Sequence, residues 1–200
     1  MDKNISIRFA GKGGQGIIFS GVVLARAFSL HESGKGGDYH AYQTQSYGPE
    51  ARGGASKCDV KISTDENSYP FVEIPDHLIV MSQEAMDRYI ISTKKNTVLY
   101  IDKGQINAET EMETYHIPAT EKAEEMGAKI VANVIMLGAF VEISKIISKA
   151  AIHEAIHDIS PRGTKELNRK AFRVGNILGR HVLLEKDTDD LARTEGISSA

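Results

Sequence analysis

Residues 4–30 read NISIRFAGKGGQGIIFSGVVLARAFSL, and the order of the parts in this stretch decides the fold. Ile5–Ala10 predicts a strand, GKGGQG (Gly11–Gly16) a glycine-rich turn, and Gln15–His31, apolar on more than one face, a helix packed on two sides. A strand, a glycine turn and a helix in that order bring backbone N–H groups and a helix N-terminus outward together, ready for an anion or a partner's backbone. Gly11, Gly13 and Gly16 also occupy the three slots of G-x-G-x-x-G, the turn of dinucleotide-binding folds.

Outward from that stretch, ESGKGGD (Glu32–Asp38) ends the helix, with Gly34 predicted to supply the left-handed cap. Asp38–Tyr42 reads as a short strand and Gln43–Gly54 as an irregular loop. ASKCDVKIS (Ala55–Ser63) alternates, with Ala55, Cys58, Val60 and Ile62 apolar and an irregularity expected near its start. HLIVMS (His77–Ser82) is a short continuous apolar run, the mark of a strand buried on both faces. A helix over 83–91 and strands at Thr97–Ile101 and Tyr115–Ile117 follow. This alternation predicts an α/β fold with a mostly parallel, mixed sheet.

The C-terminal half is predicted to be helical. ATEKAEEMG gives a short charged helix, and KIVANVIMLGAFVEISKIISK a long one with Val131, Val134, Ile135, Gly138, Val141 and Ile146 near one face. AAIHEAIHDIS forms a third helix stopped by Pro161. KELNRKAFRVGNILGRHVLLEK forms a fourth, with Phe172, Gly175, Ile177, Leu178 and Val182 apolar or small. Residues 1–186 read as one domain and 187–200 as a frayed polar tail.

At 200 residues, 41% hydrophobic and 26% charged, the chain can bury an ordinary globular core. Its net charge of −3 supplies no field that would draw it to nucleic acid or an anionic membrane. No apolar run approaches the ~18 residues of a spanning helix, and the N-terminus has no signal-peptide character, so a cytoplasmic protein is expected. The single cysteine, Cys58, excludes an intramolecular disulfide and any cysteine-ligated cluster built within this chain, and reads as a small buried hydrophobe.

Three motifs compete for the chemistry. The glycine turn, read as a nicotinamide site, needs an acidic residue ending the second strand to hold the ribose. Asp38 falls at about that distance but begins its strand, and no Lys-Ser or Lys-Thr follows Gly16 to make a Walker loop. HEAIH (His153–His157) spells H-E-x-x-H, whose two histidines share a helical face and could bind zinc. The helix ends almost at once, however, and no third ligand follows. In the plainer reading Ile152, Ala155, Ile156 and Ile159 form a buried stripe and the histidines lie on its wetter flank. TQSYGPEARGG (Thr44–Gly54) gathers Tyr47, Gly48, Glu50, Arg52, Gly53 and Gly54, a composition suited to a recognition loop.

GKGGQG before an apolar helix, QSYGPEARGG, KCDVKIS and IPATEKAEEMGAKIVANVIMLGAF, in that order, together resemble the gamma subunit of the 2-oxoacid:ferredoxin oxidoreductases from about Ile5 to Phe172. The resemblance implies a three-layer α/β/α fold. It also implies a complex that oxidatively decarboxylates a 2-oxoacid with coenzyme A to acyl-CoA and CO2 and reduces ferredoxin. The spelling SYGPEARGG is most like the 2-oxoglutarate type. Thiamine diphosphate, Mg and iron–sulfur clusters are then expected on alpha, beta and possibly delta partner subunits, with no cofactor, metal or catalytic residue on this chain. The surface facing those partners or coenzyme A is expected at Gly11, Gly13, Gly14, Gln15 and Gly16 of the first loop and at Tyr47, Gly48, Glu50, Arg52, Gly53 and Gly54 of the second. Alone, the chain is expected to be inactive and able to form a homodimer. A stand-alone NAD enzyme and a zinc hydrolase are the alternatives.

Overall fold

A computed structural model of the chain describes residues 4–32, 39–46 and 54–194, with only the backbone given for 189–194. The sheet has six strands: β1 (Asn4–Lys12), β2 (His40–Gln45), β3 (Ala55–Ser63), β4 (His77–Val80), β5 (Val98–Asp102) and β6 (Thr114–Ile117). Their order across the sheet is β2-β3-β1-β4-β5-β6. Pairs β1–β4, β4–β5 and β5–β6 are parallel, whereas β3 runs antiparallel to both β1 and β2, so the sheet is mixed as expected.

The helices are α1 (Ile17–Arg26), α2 (Gln83–Tyr89), α3 (Ala119–Glu125), α4 (Ala132–Ser144), α5 (Lys149–Ile159) and α6 (Lys165–Thr194). The larger core joins one sheet face, including Ile7, Phe9, Val60 and Ile79, to α1, α3, α4, α5 and α6. On the other face Ala10, Leu78, Val80, Leu99 and Ile101 meet Ala85, Met86 and Tyr89 of α2. Helices on both faces make the expected α/β/α layering, with one layer much thicker than the other. α4 lies at the heart of the thick layer. Its Phe140 ring stands edge-on to Phe9 and Tyr100 of the sheet, at centroid distances of 6.2 and 5.1 Å, and burial is nearly complete around the helix.

Local chemistry accounts for the element ends. The Ser82 and Ser148 hydroxyls accept from Ala85 N at 3.3 Å and Ala151 N at 3.2 Å, capping α2 and α5. α5 stops at Ile159, just before Pro161, as predicted.

Several boundaries differ from the sequence expectation. β1 continues through Lys12, so Gly11 belongs to the strand, because β3 supplies it with partners through Lys12↔Ala55. β3 is regular, its register unbroken from Asn4↔Ser63 to Lys12↔Ala55, and both its faces are largely covered. α4 ends at Ser144, with Lys145 left-handed at φ 51, short of the predicted run to Lys149. α6 passes the boundary expected at residue 187 and reaches Thr194. Its buried stripe runs through Phe172, Gly175, Asn176 and Gly179, which leaves Ile177 54% exposed instead of packed. Gly34 and Asp38 lie outside the described residues.

That stripe permits an unusually close helix contact. A Cβ on Gly175 would stand 2.0 Å from the Ile135 carbonyl oxygen, and one on Gly138 would stand 2.4 Å from that of Phe172. Gly179 would meet the Ala139 carbonyl at 2.8 Å. The α4 and α6 backbones touch because none of these residues carries a side chain.

Candidate functional site

The glycine turn sits at the carboxyl end of β1. α1 leaves β1 toward the thick layer and α2 leaves β4 toward the thin one, so the chain switches sides between these neighbouring parallel strands. Crevices at such switch points, beyond the carboxyl ends of the strands, are where open α/β sheets receive ligands.

Gln15 closes the crevice floor. Its Oε1 accepts from Lys12 N at 2.6 Å, and its Nε2 donates to the Met81 carbonyl at 2.9 Å, tying the end of β1 to the segment after β4. The side chain expected to face a partner is therefore occupied holding the turn. Gly16 is left-handed at φ 73 and caps α1, which has no side-chain cap. Its carbonyl accepts from Asn133 Nδ2 at 2.8 Å, while Asn133 Oδ1 is buried without a hydrogen-bond partner among the described residues. Asn133 thus ties the start of α4 to the turn, and Ser20 Oγ, donating to the Asn133 carbonyl at 3.2 Å, adds a second tie. Gly14 is also left-handed, at φ 92, but nothing lies within 4 Å of the Cβ it lacks. It is the open point of the turn.

Two clefts meet at Gly14. One, of about 260 Å³, is lined by Gly14, Gln15, Met81, Thr120, Lys129 and Ile130 among others. The second, of about 230 Å³ and more apolar, includes Gly14, Gly16, Phe19, Ile130, Asn133 and Leu167. Ile130, 78% exposed, stands between them. Behind Thr120, buried Asp102 accepts from its backbone N–H at 3.1 Å and from its hydroxyl. Burial raises the Asp102 pKa, and the Thr120 and Ala119 hydrogen bonds only partly oppose this. Lys12 and Lys129 put positive charge at the rim, each answered by a carboxylate: Glu84 at 3.8 Å and Glu124 at 2.8 Å. Uncapped helix amides, a left-handed glycine open to solvent and rim lysines suit an anionic group such as a phosphate.

The second loop leads to the same place. Tyr47, Gly48, Glu50, Arg52 and Gly53 lie outside the described residues, but both ends of their segment are defined. Ser46 N donates to the Lys57 carbonyl at 3.2 Å, and Gly54 directly precedes Ala55, which pairs with Lys12. The two motifs, some thirty residues apart in sequence, therefore converge on the carboxyl end of β1.

Sequence reasoning missed Asn133, Asp102 and the Arg8–Asp59 pair. Arg8 and Asp59 are both 3% exposed. They are joined by Nε to Oδ1 at 2.6 Å and by a second guanidinium nitrogen to Oδ2 at 3.0 Å, and together hold the thin face of the sheet. An Arg and an Asp within strand-like segments were the available signal, and only the register Arg8↔Asp59 makes them partners.

The alternative sites do not assemble. β3 lies between β1 and the strand that follows α1, so β2 is parallel to β1 but not its neighbour, and β2 (HAYQTQ) carries no acid to hold a ribose. His153 packs edge-on against Phe172 at 5.0 Å. Its pKa is lowered by burial and by Arg173 and Arg169, whereas His157 is well exposed. No group of three potential metal-binding side chains occurs among the described residues. Cys58 is fully buried beneath Gly21, its thiol pushed up to about 11 by burial, as an inert packing residue should be. No helix among the described residues is long and apolar enough to cross a membrane.

Residues 6–176 match the pyruvate ferredoxin/flavodoxin oxidoreductase family. The chain belongs to that family. It is 44% identical over 182 residues to the 2-oxoglutarate synthase subunit KorC of Methanothermobacter thermautotrophicus, spanning 86% of this chain and 93% of KorC. The gamma subunit of a keto/oxoacid ferredoxin oxidoreductase from Geobacter sulfurreducens superposes with a TM-score of 0.76 at 37% identity, covering 88% of this chain and 99% of that one. The 2-oxoglutarate:ferredoxin oxidoreductase of Magnetococcus marinus, solved with 2-oxoglutarate, coenzyme A and succinyl-CoA bound, also matches with a TM-score of 0.76. There the identity is 26%, over 90% of this chain and 31% of that longer one.

Proposed function

We propose that this chain is the gamma subunit of a 2-oxoglutarate:ferredoxin oxidoreductase. In the overall reaction 2-oxoglutarate loses CO2, its acyl carbon forms a thioester with coenzyme A, and the released electron pair passes to ferredoxin. The observation that carries this reading is the likeness to KorC over nearly the whole of both chains. With a single cysteine the chain cannot itself ligate an iron–sulfur cluster, and the thiamine diphosphate, Mg and clusters of the complex belong to its alpha, beta and delta partners. Its own task is to position.

The glycine turn with Gly14 and Lys129 is the surface that meets a coenzyme A phosphate brought to the subunit boundary, and Tyr47, Glu50 and Arg52 of the second loop serve the same recognition. Helix amides and a lysine bind such a group without taking part in the chemistry. The test is steady-state kinetics on the assembled complex. Lys129→Ala and Gly14→Ala are expected to raise the KM for coenzyme A by about threefold to tenfold while leaving that for 2-oxoglutarate unchanged. An unchanged coenzyme A KM in both variants removes the phosphate assignment. Purification of the chain from its source without thiamine- and cluster-bearing partners removes the subunit assignment.

A further inference from the structure

The thin side of the sheet carries a feature that the glycine site does not use. α2 covers β1, β4 and the start of β3 there, where the Tyr89 hydroxyl donates to the Ala55 carbonyl, and beside Lys61 toward the other end of β3 the cover passes to the segment 69–74. Val72 anchors this segment: it is buried, and its carbonyl accepts from the Arg8 guanidinium at 2.6 Å. Its neighbours are turned outward. Tyr69, Phe71 and Ile74 are 62%, 55% and 48% exposed, and the Tyr69 and Phe71 rings lie 5.4 Å apart. With Ser6, Lys61 and Glu73 they line a groove of about 320 Å³.

Large apolar side chains held out by a buried anchor are pre-organised for contact, since their ordering cost is met on folding. The charges say what kind of contact. Lys61 is half-buried on β3 and Glu73 is exposed, yet neither has an ion-pair partner among the described residues, and they do not pair with each other across their shared groove. A surface holding unpaired charges of both signs beside an apolar rim is complementary to itself. A twofold axis through the groove would set Lys61 of each copy against Glu73 of the other, with the Tyr69 and Phe71 rings between them. A partner of different sequence would meet the apolar rim equally well, but one sign of charge would then suffice.

We propose that two copies of this chain associate through this groove, with reciprocal Lys61–Glu73 pairs flanking a core of Tyr69, Phe71 and Ile74. The proposal is independent of the reaction assigned above. It is tested by sedimentation of the purified full chain across a concentration range, with urea unfolding run beside it to confirm an intact fold. The wild-type chain is expected to dimerise. Lys61→Glu and Glu73→Lys are each expected to weaken the dimer about tenfold or more, and Phe71→Ser to leave a folded monomer. The double variant K61E/E73K is expected to regain wild-type affinity to within about threefold, because it exchanges the charges without changing the pairs. A chain monomeric at every concentration overturns the proposal. So does a dimer indifferent to the single variants, or a double variant no better than either single. A monomer whose variants instead fail to join the other subunits assigns the groove to one of them, and equally overturns it.

Discussion

Two sets of glycines do opposite work in this protein. Those of the N-terminal turn, Gly14 and Gly16, are left-handed and stand at the edge of clefts. Those of the α4–α6 contact, Gly138, Gly175 and Gly179, have helical surroundings and leave no room at all. In the first set the missing side chain supplies a backbone conformation and an opening; in the second it supplies closeness. The difference teaches that a glycine cluster conspicuous in sequence can matter less to stability than dispersed glycines brought together by packing.

The largest effect expected is at the helix contact. Gly175→Ala forces a methyl group into the Ile135 backbone, which cannot swing aside as a side chain would, and should cost about 3 kcal/mol or more in urea unfolding. A loss below about 1 kcal/mol would mean that the two helices separate freely. Next comes Gly16→Ala, which meets both the left-handed penalty and Asn133 Nδ2, 2.6 Å from the added atom, for about 2 kcal/mol. Because part of that cost is the Asn133 contact, combination with Asn133→Ala should fall short of additivity by about 0.5 kcal/mol or more. Gly14→Ala should cost only the backbone term, about 1–2 kcal/mol. Its effect should concentrate in coenzyme A kinetics, so equal losses from Gly14→Ala and Gly175→Ala would erase the distinction between the sets.

The smallest effect is electrostatic and confined to the cleft side. The native pKa of Asp102 is raised above its ordinary 3.8, so between those values the folded chain holds a proton that the unfolded chain has released. Its contribution to stability is therefore full below pH 3.8 and lost as pH rises through the native value. Asp102→Asn should flatten that part of the stability profile in a pH series of urea titrations, whereas Gly175→Ala should shift the profile without changing its slope.

Much of the cleft side was legible in the sequence. The strand–turn–helix order, the turn residues and the unusual second loop are local signals, and the first turn and the residues flanking the second loop do lie at one sheet end. What local signals left open was pairing. The fragments spelling β2 and β3 read as strands, although β2 continues through Gln45 into the segment read as a loop, and nothing in their alternation says that β3 inserts between β1 and β2 and so parts β1 from the strand after α1. α6 shows the same gap. The apolar or small positions of its sequence include both Gly175, which packs, and Ile177, which does not, and G-N-I-L-G at 175–179, small residues four apart, was the available clue to the face that packs. Residues 187–194 lack apolar periodicity yet continue the helix, because a long helix is already nucleated before them and Leu191, Ala192 and Arg193 favour its extension.

The sequence by itself determined the class of fold, the glycine turn at the first helix, the absence of cysteine chemistry and the family resemblance, all of which depend on neighbours along the chain. Only the tertiary structure decided that Gln15 is spent clasping β1 to the end of β4, that Asn133 braces Gly16, that Arg8 meets Asp59, and that three scattered glycines let two helices touch. Each of these joins residues from roughly forty to more than a hundred positions apart, and which distant groups share one buried space is set by packing the whole core at once.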